Sequence, residues 1–179
     1  SYAVDGFHSA YCKAHNVHKF FEVYLEHAKR KPDTQLEIKE LVNDAKLHNI
    51  EVLPPRLNHF YKNFKLVNDK IYFGIANVKN IGGSEAQKLC DITQEYNKIK
   101  PLEEWNWVDT LLFLGTSVNK RAMNALISIA AFNGKNNRKQ RNEMLYEFDS
   151  WRQLTAREIA YIRGTHEQDG LPNRSFSYY

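Results

Sequence analysis

The sequence has few cysteines, no long apolar run and no signal peptide, and each absence removes a class of protein. Only Cys12 and Cys90 occur in 179 residues, and their wide separation indicates neither a disulfide framework nor a cysteine-rich zinc module. No apolar stretch approaches the roughly 20 residues that a membrane span needs, and no secretory leader opens the chain. We therefore expect a cytoplasmic protein without a membrane partner.

Catalytic constellations are also missing. No Ser/His/Asp or Cys/His nucleophile system can be assembled from the sequence. His8, Cys12 and His15 follow one another at helical spacing and could share a zinc ion, but a structural zinc site needs four ligands and no fourth is found. The adjacent acids Glu103 and Glu104 fit the first turn of a helix better than a pair of catalytic carboxylates. We expect no catalytic residue, no metal site and no cofactor in this chain.

What the sequence does contain is sufficient for a packed core. Hydrophobic residues make up 42% and charged residues 26%, which fits one domain or two small ones. The formal charge of +4 weakly favours an anionic binding partner. The chain opens with Ser1 rather than Met and continues directly into helix-like sequence, so we expect a segment of a longer polypeptide.

Hydrophobic periodicity predicts a mainly α fold with one small β hairpin. Apolar residues recur at three- and four-residue steps in five stretches, and the predicted helices cover residues 2–31, 36–47, 83–92, 105–114 and 119–132. A further helix is expected around Met144 to Phe148, and an irregular tail from Gly164. Two β-prone runs flank a turn at residues 68–70, which indicates a hairpin, and residues 50–55 read as an extended piece.

The turn at residues 78–86 carries the most informative local signal. A glycine turn that opens a helix presents free backbone N–H groups together with the positive end of the helix dipole, which suits a phosphate oxygen. Glycine allows close approach and positive φ. The pattern resembles the helix-hairpin-helix motif, with Asn80 at a glycine position that Asn tolerates. The alternative is an ordinary helix start capped by Ser84.

Basic and aromatic residues extend this hypothesis. Lys79 and Lys88 near the first turn, and Lys120 and Arg121 after Asn119, could contact further phosphates; as an alternative, they are solvated helix faces. More basic residues, at 135, 138, 139 and 141, lie in a polar stretch. The aromatic residues Trp105, Trp107 and Phe113 have the spacing of a buried helix face, so we assign them to the core rather than to base stacking.

Three stretches together resemble the α subunit of bacterial DNA polymerase III, a C-family replicative polymerase. Residues 1–15 (SYAVDGFHSAYCKAH) are similar to the fingers helix, A-Y-A followed by Q-T-A-Y-L-K-A-H. Residues 50–58 (IEVLPPRLN) and 71–82 (IYFGIANVKNIG) are similar to I-E-V-L-P-P-D-V-N and I-R-F-G-L-x-A-V-K-G-V-G. Residues 118–133 (VNKRAMNALISIAAFN) are similar to L-N-K-R-V-L-E-A-L-I-K-A-G-A-F-D. Arg56 replaces the family's Asp, and Asn80 and Ala130 replace its Gly.

The resemblance implies a division of the chain and of its functions. Residues 1–60 would be part of the fingers, residues 61–133 a helix-hairpin-helix segment that binds DNA, and residues 134–179 a helical and irregular tail of unknown role. Tyr2, Tyr11 and Lys13 would lie nearest the incoming nucleotide. The DNA-binding residues would be Lys79, Ile81, Gly82, Gly83, Ser84, Lys88, Asn119, Lys120 and Arg121.

The implied function is the non-catalytic part of a DNA-directed DNA polymerase, a nucleotidyltransferase of DNA replication. It would help to position the deoxynucleoside triphosphate and template and would bind duplex DNA independently of sequence. The catalytic aspartates and their Mg²⁺ would belong to a palm portion that this chain lacks. Primer-template DNA and the palm are the expected partners, with a sliding clamp as a further candidate. The alternative is a stand-alone helix-hairpin-helix DNA-binding adapter.

Overall fold

The structure, a computed structural model, describes residues 17–27, 32 and 34–169. Its helices and strands are α1 (Val17–His27), α2 (Thr34–Leu47), β1 (Glu51–Leu53), β2 (Lys65–Val67), β3 (Lys70–Tyr72), α3 (Gly83–Asn97), α4 (Trp107–Thr110), α5 (Lys120–Ser128), α6 (Arg141–Trp151) and α7 (Ala156–Asp169). Short 3₁₀ turns cover Ile75–Asn77 and Leu102–Glu104. The fold class expected from the sequence, mainly α with a small β element, is confirmed.

A first core lies between α1, α2 and a small sheet. Its buried side chains are Phe21, Leu25, Ile38, Ala45, Ile50, Phe64 and Ile71. Helix α2 ends where the sequence predicts, because Asn49 adopts a φ of 59°, a left-handed conformation that Asn tolerates better than most residues. The predicted hairpin is also present: Asn68 and Asp69 both have positive φ and form the two-residue turn between β2 and β3.

The sheet has one strand more than the hairpin predicted from the sequence. Strand β1 pairs in parallel with β3, so the strand order is β1-β3-β2. The extended character of β1 was foreseen, but this pairing was not. Lys70 on β3 lies 3.3 Å from Glu51 on β1. Behind the sheet, Gly74 lies so close to the backbone of Asn63 that a Cβ would come within 2.7 Å of the Asn63 carbonyl carbon.

A larger core joins α3 to α7. The side chains of Leu89, Trp107, Met123, Phe148 and Trp151 are almost fully buried in it, and the predicted core position of Trp105 and Trp107 agrees with their burial. Phe113 is partly buried and stacks on Tyr96 with ring centroids 4.3 Å apart. Instead of one helix over residues 105–114, α4 continues into a π-helical segment, Leu111–Gly115.

Of two expectations for the surrounding segments, one was wrong. Glu103 and Glu104 are first-turn acids, as expected, but of the short 3₁₀ helix before α4; the first-turn acid of α4 itself is Asp109, which forms a capping box with Asn106. Residues 164–169 are not irregular, because they continue α7. A tertiary contact explains why the helix extends this far. The Nε2 atom of His166 lies 3.0 Å from Asp109 Oδ1, and this contact is buried.

The buried carboxylate of Asp109 ties α7 to the larger core. Besides His166, Lys100 Nζ lies 2.8 Å from Asp109 Oδ2, and the Asn106 backbone N–H donates to the same oxygen at 2.9 Å. Burial by itself would raise the pKa of the Asp109 carboxyl. The hydrogen bonds it accepts, first the one with His166, outweigh burial and hold this pKa below its usual value.

Candidate nucleic-acid interface

The first turn of interest runs from Val78 to Gly83. The Ile81 N–H donates to the Val78 carbonyl at 3.2 Å, which closes a β-turn. Asn80 occupies its third position with a φ of 73°, the conformation that such a position requires of Gly or Asn. Positive φ therefore belongs to Asn80, whereas Gly82 has an ordinary φ of −77°. The expectation that Gly82 supplies a left-handed conformation was wrong.

Helix α3 starts directly after this turn, and no side chain caps its first backbone N–H groups. Gly82 is the N-cap residue and provides no side-chain hydrogen bond, so the alternative in which Ser84 caps the helix is also wrong. The backbone N–H groups of Gly83, Ser84 and Glu85 have no acceptor within the helix. Gly82, Gly83 and Ser84 are exposed, and a Cβ on Gly82 or Gly83 would meet no atom within 4 Å. An external oxygen can therefore reach these donors.

Two residues of the same turn differ in burial: Ile81 is buried in the core, whereas Lys79 is exposed to solvent. The Ile81 side chain is 5% exposed and packs in the larger core. It anchors the turn, and Ile81 can meet a ligand only through its backbone. Lys79 is exposed and carries no charge partner among residues 34–169. Its side chain borders an apolar groove formed with Pro54, Pro55 and Ile129.

A second turn leads from Gly115 to Asn119 and opens α5. Asn119 is the N-cap residue, as the sequence predicts, and its Oδ1 accepts a hydrogen bond from the Ala122 N–H at 2.9 Å. The Asn119 N–H donates in turn to Glu85 Oε1 at 2.8 Å. Because Glu85 belongs to the first turn of α3, this bond fixes the two turns relative to each other. No sequence pattern predicts this bond, because Glu85 and Asn119 are 34 positions apart in the chain.

Lys88 lies at the second turn rather than the first. It borders a groove of about 510 Å³ together with the loop 115–119, Lys120 and Arg121. Lys120 Nζ is 2.9 Å from Asp149 Oδ1, and both side chains are more than half exposed, so the pair is weak. The sequence-predicted DNA-binding residues thus fall into two groups: Lys79 to Ser84 at the first turn, and Lys88 with residues 119–121 at the second.

Some basic residues of the loop before α6 have structural partners instead. Lys139 Nζ lies 2.9 Å from Glu147 Oε1, and both side chains are largely buried. Arg141 donates to the Ser128 carbonyl at 2.9 Å. The Lys139 side chain holds the loop against α6, and the Arg141 side chain joins the start of α6 to the end of α5. They are poor candidates for a phosphate-binding surface.

Several predicted site residues lie outside the part of the chain that the structure describes. These are the nucleotide-proximal Tyr2, Tyr11 and Lys13, and the rejected zinc ligands His8, Cys12 and His15. Within the described ranges, no group of three or more His, Cys, Asp or Glu side chains is placed to hold a metal ion. No helix of the same ranges is long and apolar enough to cross a membrane.

Comparison with known proteins gives one family match and several similar sequences. The family described as "Helix-hairpin-helix motif" matches residues 49–142. The DNA polymerase III subunit alpha of Thermus aquaticus is 31% identical over 132 residues, which cover 73% of this chain and 10% of that protein. The subunit of the same name from Aquifex aeolicus is 29% identical over 146 residues, 81% of this chain and 12% of that protein. The chain spans about a tenth of the length of these relatives.

Proposed function

The chain belongs to the helix-hairpin-helix motif family, and from this premise we propose that it holds duplex DNA by the phosphate backbone as one portion of a replicative DNA polymerase. The observation that carries the proposal is the open start of α3 beside the turn at Asn80. There, the backbone N–H groups of residues 83–85 have no hydrogen-bond acceptor among the described residues, and a Cβ added at Gly82 or Gly83 would enter open space. Such donors suit phosphate oxygens.

Phosphate contacts of this kind make DNA binding independent of the base sequence. Backbone N–H groups and lysines that meet phosphates fix the position of the protein on the duplex without reading bases. A polymerase must hold every product sequence equally well, which phosphate contacts allow. Lys79, Lys88 and Arg121 are exposed and would add charge to this surface. An exposed hydrogen bond from the Asn119 N–H to Glu85 Oε1 joins the two turns, so both could meet phosphates of the same duplex.

Within the whole polymerase, we propose that other segments carry out phosphoryl transfer. Phosphoryl transfer on two Mg²⁺ ions needs clustered carboxylates, and no such cluster is present in the described ranges. We propose that the palm portion and its Mg²⁺ belong to the rest of a complete polymerase, and that a sliding clamp is a further candidate partner. The residues Tyr2, Tyr11 and Lys13 are proposed to face the incoming deoxynucleoside triphosphate.

Fluorescence anisotropy on two unrelated duplexes over a salt series tests the proposal. If about three phosphates are neutralised, the logarithm of the association constant should fall with the logarithm of salt concentration at a slope of roughly −3. The two duplexes should bind with equal affinity, because phosphates are common to both. A chain that binds neither duplex at low salt would contradict the proposal, and so would a strong preference for one sequence.

A further inference from the structure

The small sheet has a second face, on the side away from the first core. In the pairing of β2 with β3, Leu66 lies opposite Ile71, and both side chains pack in the first core. The next pair in the register is Lys65 opposite Tyr72. Because successive side chains of a strand point to opposite faces, Lys65 and Tyr72 share the face that the first core leaves free.

Two further rings, from the segment before β2, pack against Tyr72. The His59 ring stacks on the Tyr72 ring with centroids 4.1 Å apart and 19° between the planes. The Tyr61 ring meets Tyr72 edge-on at 6.0 Å, and its hydroxyl lies 3.4 Å from His59 Nδ1. Tyr72 is 8% exposed, whereas His59 and Tyr61 are only half-buried. The two outer rings therefore keep surface that faces solvent, and Tyr72 holds them in place.

Positive charge lies beside these rings without an acidic partner. Lys65 Nζ stands over the face of the Tyr61 ring, 5.4 Å from its centroid. Glu51 of β1 belongs to the same face of the sheet but pairs with Lys70 at 3.3 Å. Lys65 and Lys62 are both exposed and form no ion pair with a carboxylate of the described residues. The surface around the rings therefore favours an anion.

A partner for this surface must combine negative charge with flat rings. Unpaired DNA bases offer such rings, because they are free to leave their neighbours, and aromatic side chains on a sheet suit them as a stacking platform. The bases of a duplex are already stacked and paired. The contact between Lys65 and Tyr61 is exposed and weak, so Lys65 can turn toward a phosphate instead.

We propose that His59, Tyr61 and Lys65 form a binding site for single-stranded DNA. An unpaired base stacks on the exposed rings of His59 and Tyr61, and Lys65 binds the neighbouring phosphate. None of the three residues belongs to the turns to which duplex binding is assigned. The site therefore goes beyond the proposed function and does not depend on it.

The first test compares variants of Tyr61 by fluorescence anisotropy with a labelled oligothymidine of about ten nucleotides. Tyr61→Leu should weaken binding about tenfold, whereas Tyr61→Phe, which keeps the ring, should stay within about twofold of the parent. Tyr146 is 75% exposed on α6, and the control Tyr146→Leu should bind as the parent does. Circular dichroism checks that each variant folds. Parental binding by Tyr61→Leu, or equal losses for Leu and Phe, would overturn the stacking site.

The second test concerns charge and does not alter the aromatic cluster. Lys65→Gln should weaken oligothymidine binding about threefold at low salt and make the salt slope shallower by about 0.7 units, the value for one phosphate of a single strand. Lys98→Gln is the matched control, since Lys98 is also exposed and forms no ion pair with a described residue. Equal slopes for the two variants would remove Lys65 from the site and overturn the proposal.

Two other ligands separate base stacking from phosphate binding and from the proposed function. An abasic strand of the same length should bind the parent about tenfold more weakly than oligothymidine; equal binding would overturn the proposal. Tyr61→Leu should bind duplex DNA with parental affinity, and an equal loss for both ligands would contradict a site for unpaired bases. A parent that binds duplex but no oligothymidine at low salt would overturn this site alone. Binding of oligothymidine without duplex would leave the site intact and overturn the proposed function.

Discussion

Replacement of Asp109 by Ala tests the network that joins α7 to the core. The carboxylate is 4% exposed and faces Lys100, the Asn106 N–H and His166 within 2.8 to 3.0 Å. Alanine would leave all three groups without this acceptor and would break the capping box of α4. Loss of a cap costs about 1 kcal/mol, and breaking a buried ion pair costs about 3–5 kcal/mol. Because Lys100 is 34% exposed and can turn toward water, we expect a loss of about 3–4 kcal/mol in the free energy of unfolding.

The same network gives the stability a pH dependence of known sign. The pKa of the Asp109 carboxyl is lower in the folded state than its ordinary value. Its stabilisation is therefore fully present above the unfolded-state pKa of about 3.9 and is lost as the pH falls through the folded-state value. The difference between the parent and Asp109→Ala that comes from this carboxylate should shrink as the pH falls below about 4.

Urea unfolding at several pH values, followed by circular dichroism, measures both effects. Glu95→Ala is the control, since Glu95 is exposed and its side chain forms no hydrogen bond or ion pair with another described residue; it should change the free energy of unfolding by less than about 0.5 kcal/mol. A loss below about 1 kcal/mol for Asp109→Ala at pH 7 would refute the reasoning. A difference that stays unchanged down to pH 3 would refute the assignment of the lowered pKa.

Three further predictions concern the backbone and the chemistry. Ala130 has a φ of 59°, so Ala130→Gly should raise the free energy of unfolding by about 1 kcal/mol in urea, whereas Ala125→Gly inside α5 should lower it by a similar amount. Gly74→Ala should cost about 2–3 kcal/mol in the same measurement, because the added Cβ would press on the Asn63 backbone. Highly purified protein should not extend a primer with nucleotides and Mg²⁺ present; extension would mean that the catalytic carboxylates lie in this chain after all.

The elements that the sequence predicted well are those set by local chemistry. Asn49 ends α2, Asn68 and Asp69 form the hairpin turn, and Asn119 caps α5, each through its own side chain or its tolerance of positive φ. The resemblance to the α subunit of DNA polymerase III is likewise confirmed. It rested on several ordered motifs rather than on one.

The features that escaped sequence reasoning depend on contacts between distant residues. Strand β1 pairs with β3, the second strand of the hairpin. Helix α7 is extended by the contact between His166 and Asp109, which are 57 positions apart. The division of the chain at residues 60 and 133 remains a prediction.

The two family glycine positions that this chain replaces show why both kinds of information are needed. Asn80 and Ala130 both have positive φ, 73° and 59°, so the backbone keeps the conformation that glycine would adopt most easily. Arg56, the third replacement, donates a hydrogen bond to the Ala130 carbonyl. The sequence identified these positions as departures from the family. Their structural connection is visible only in the fold.

The most direct test of the central claim is duplex binding by Gly82→Val, measured by fluorescence anisotropy beside Gly134→Val. Both glycines are exposed, neither has positive φ, and a Cβ at either position meets no atom within 4 Å, so both variants should fold, which circular dichroism checks. If phosphate binds the N–H groups at the start of α3, Gly82→Val should weaken binding about tenfold without a change in charge, and Gly134→Val should bind as the parent does. A folded Gly82→Val variant with parental affinity would contradict the account.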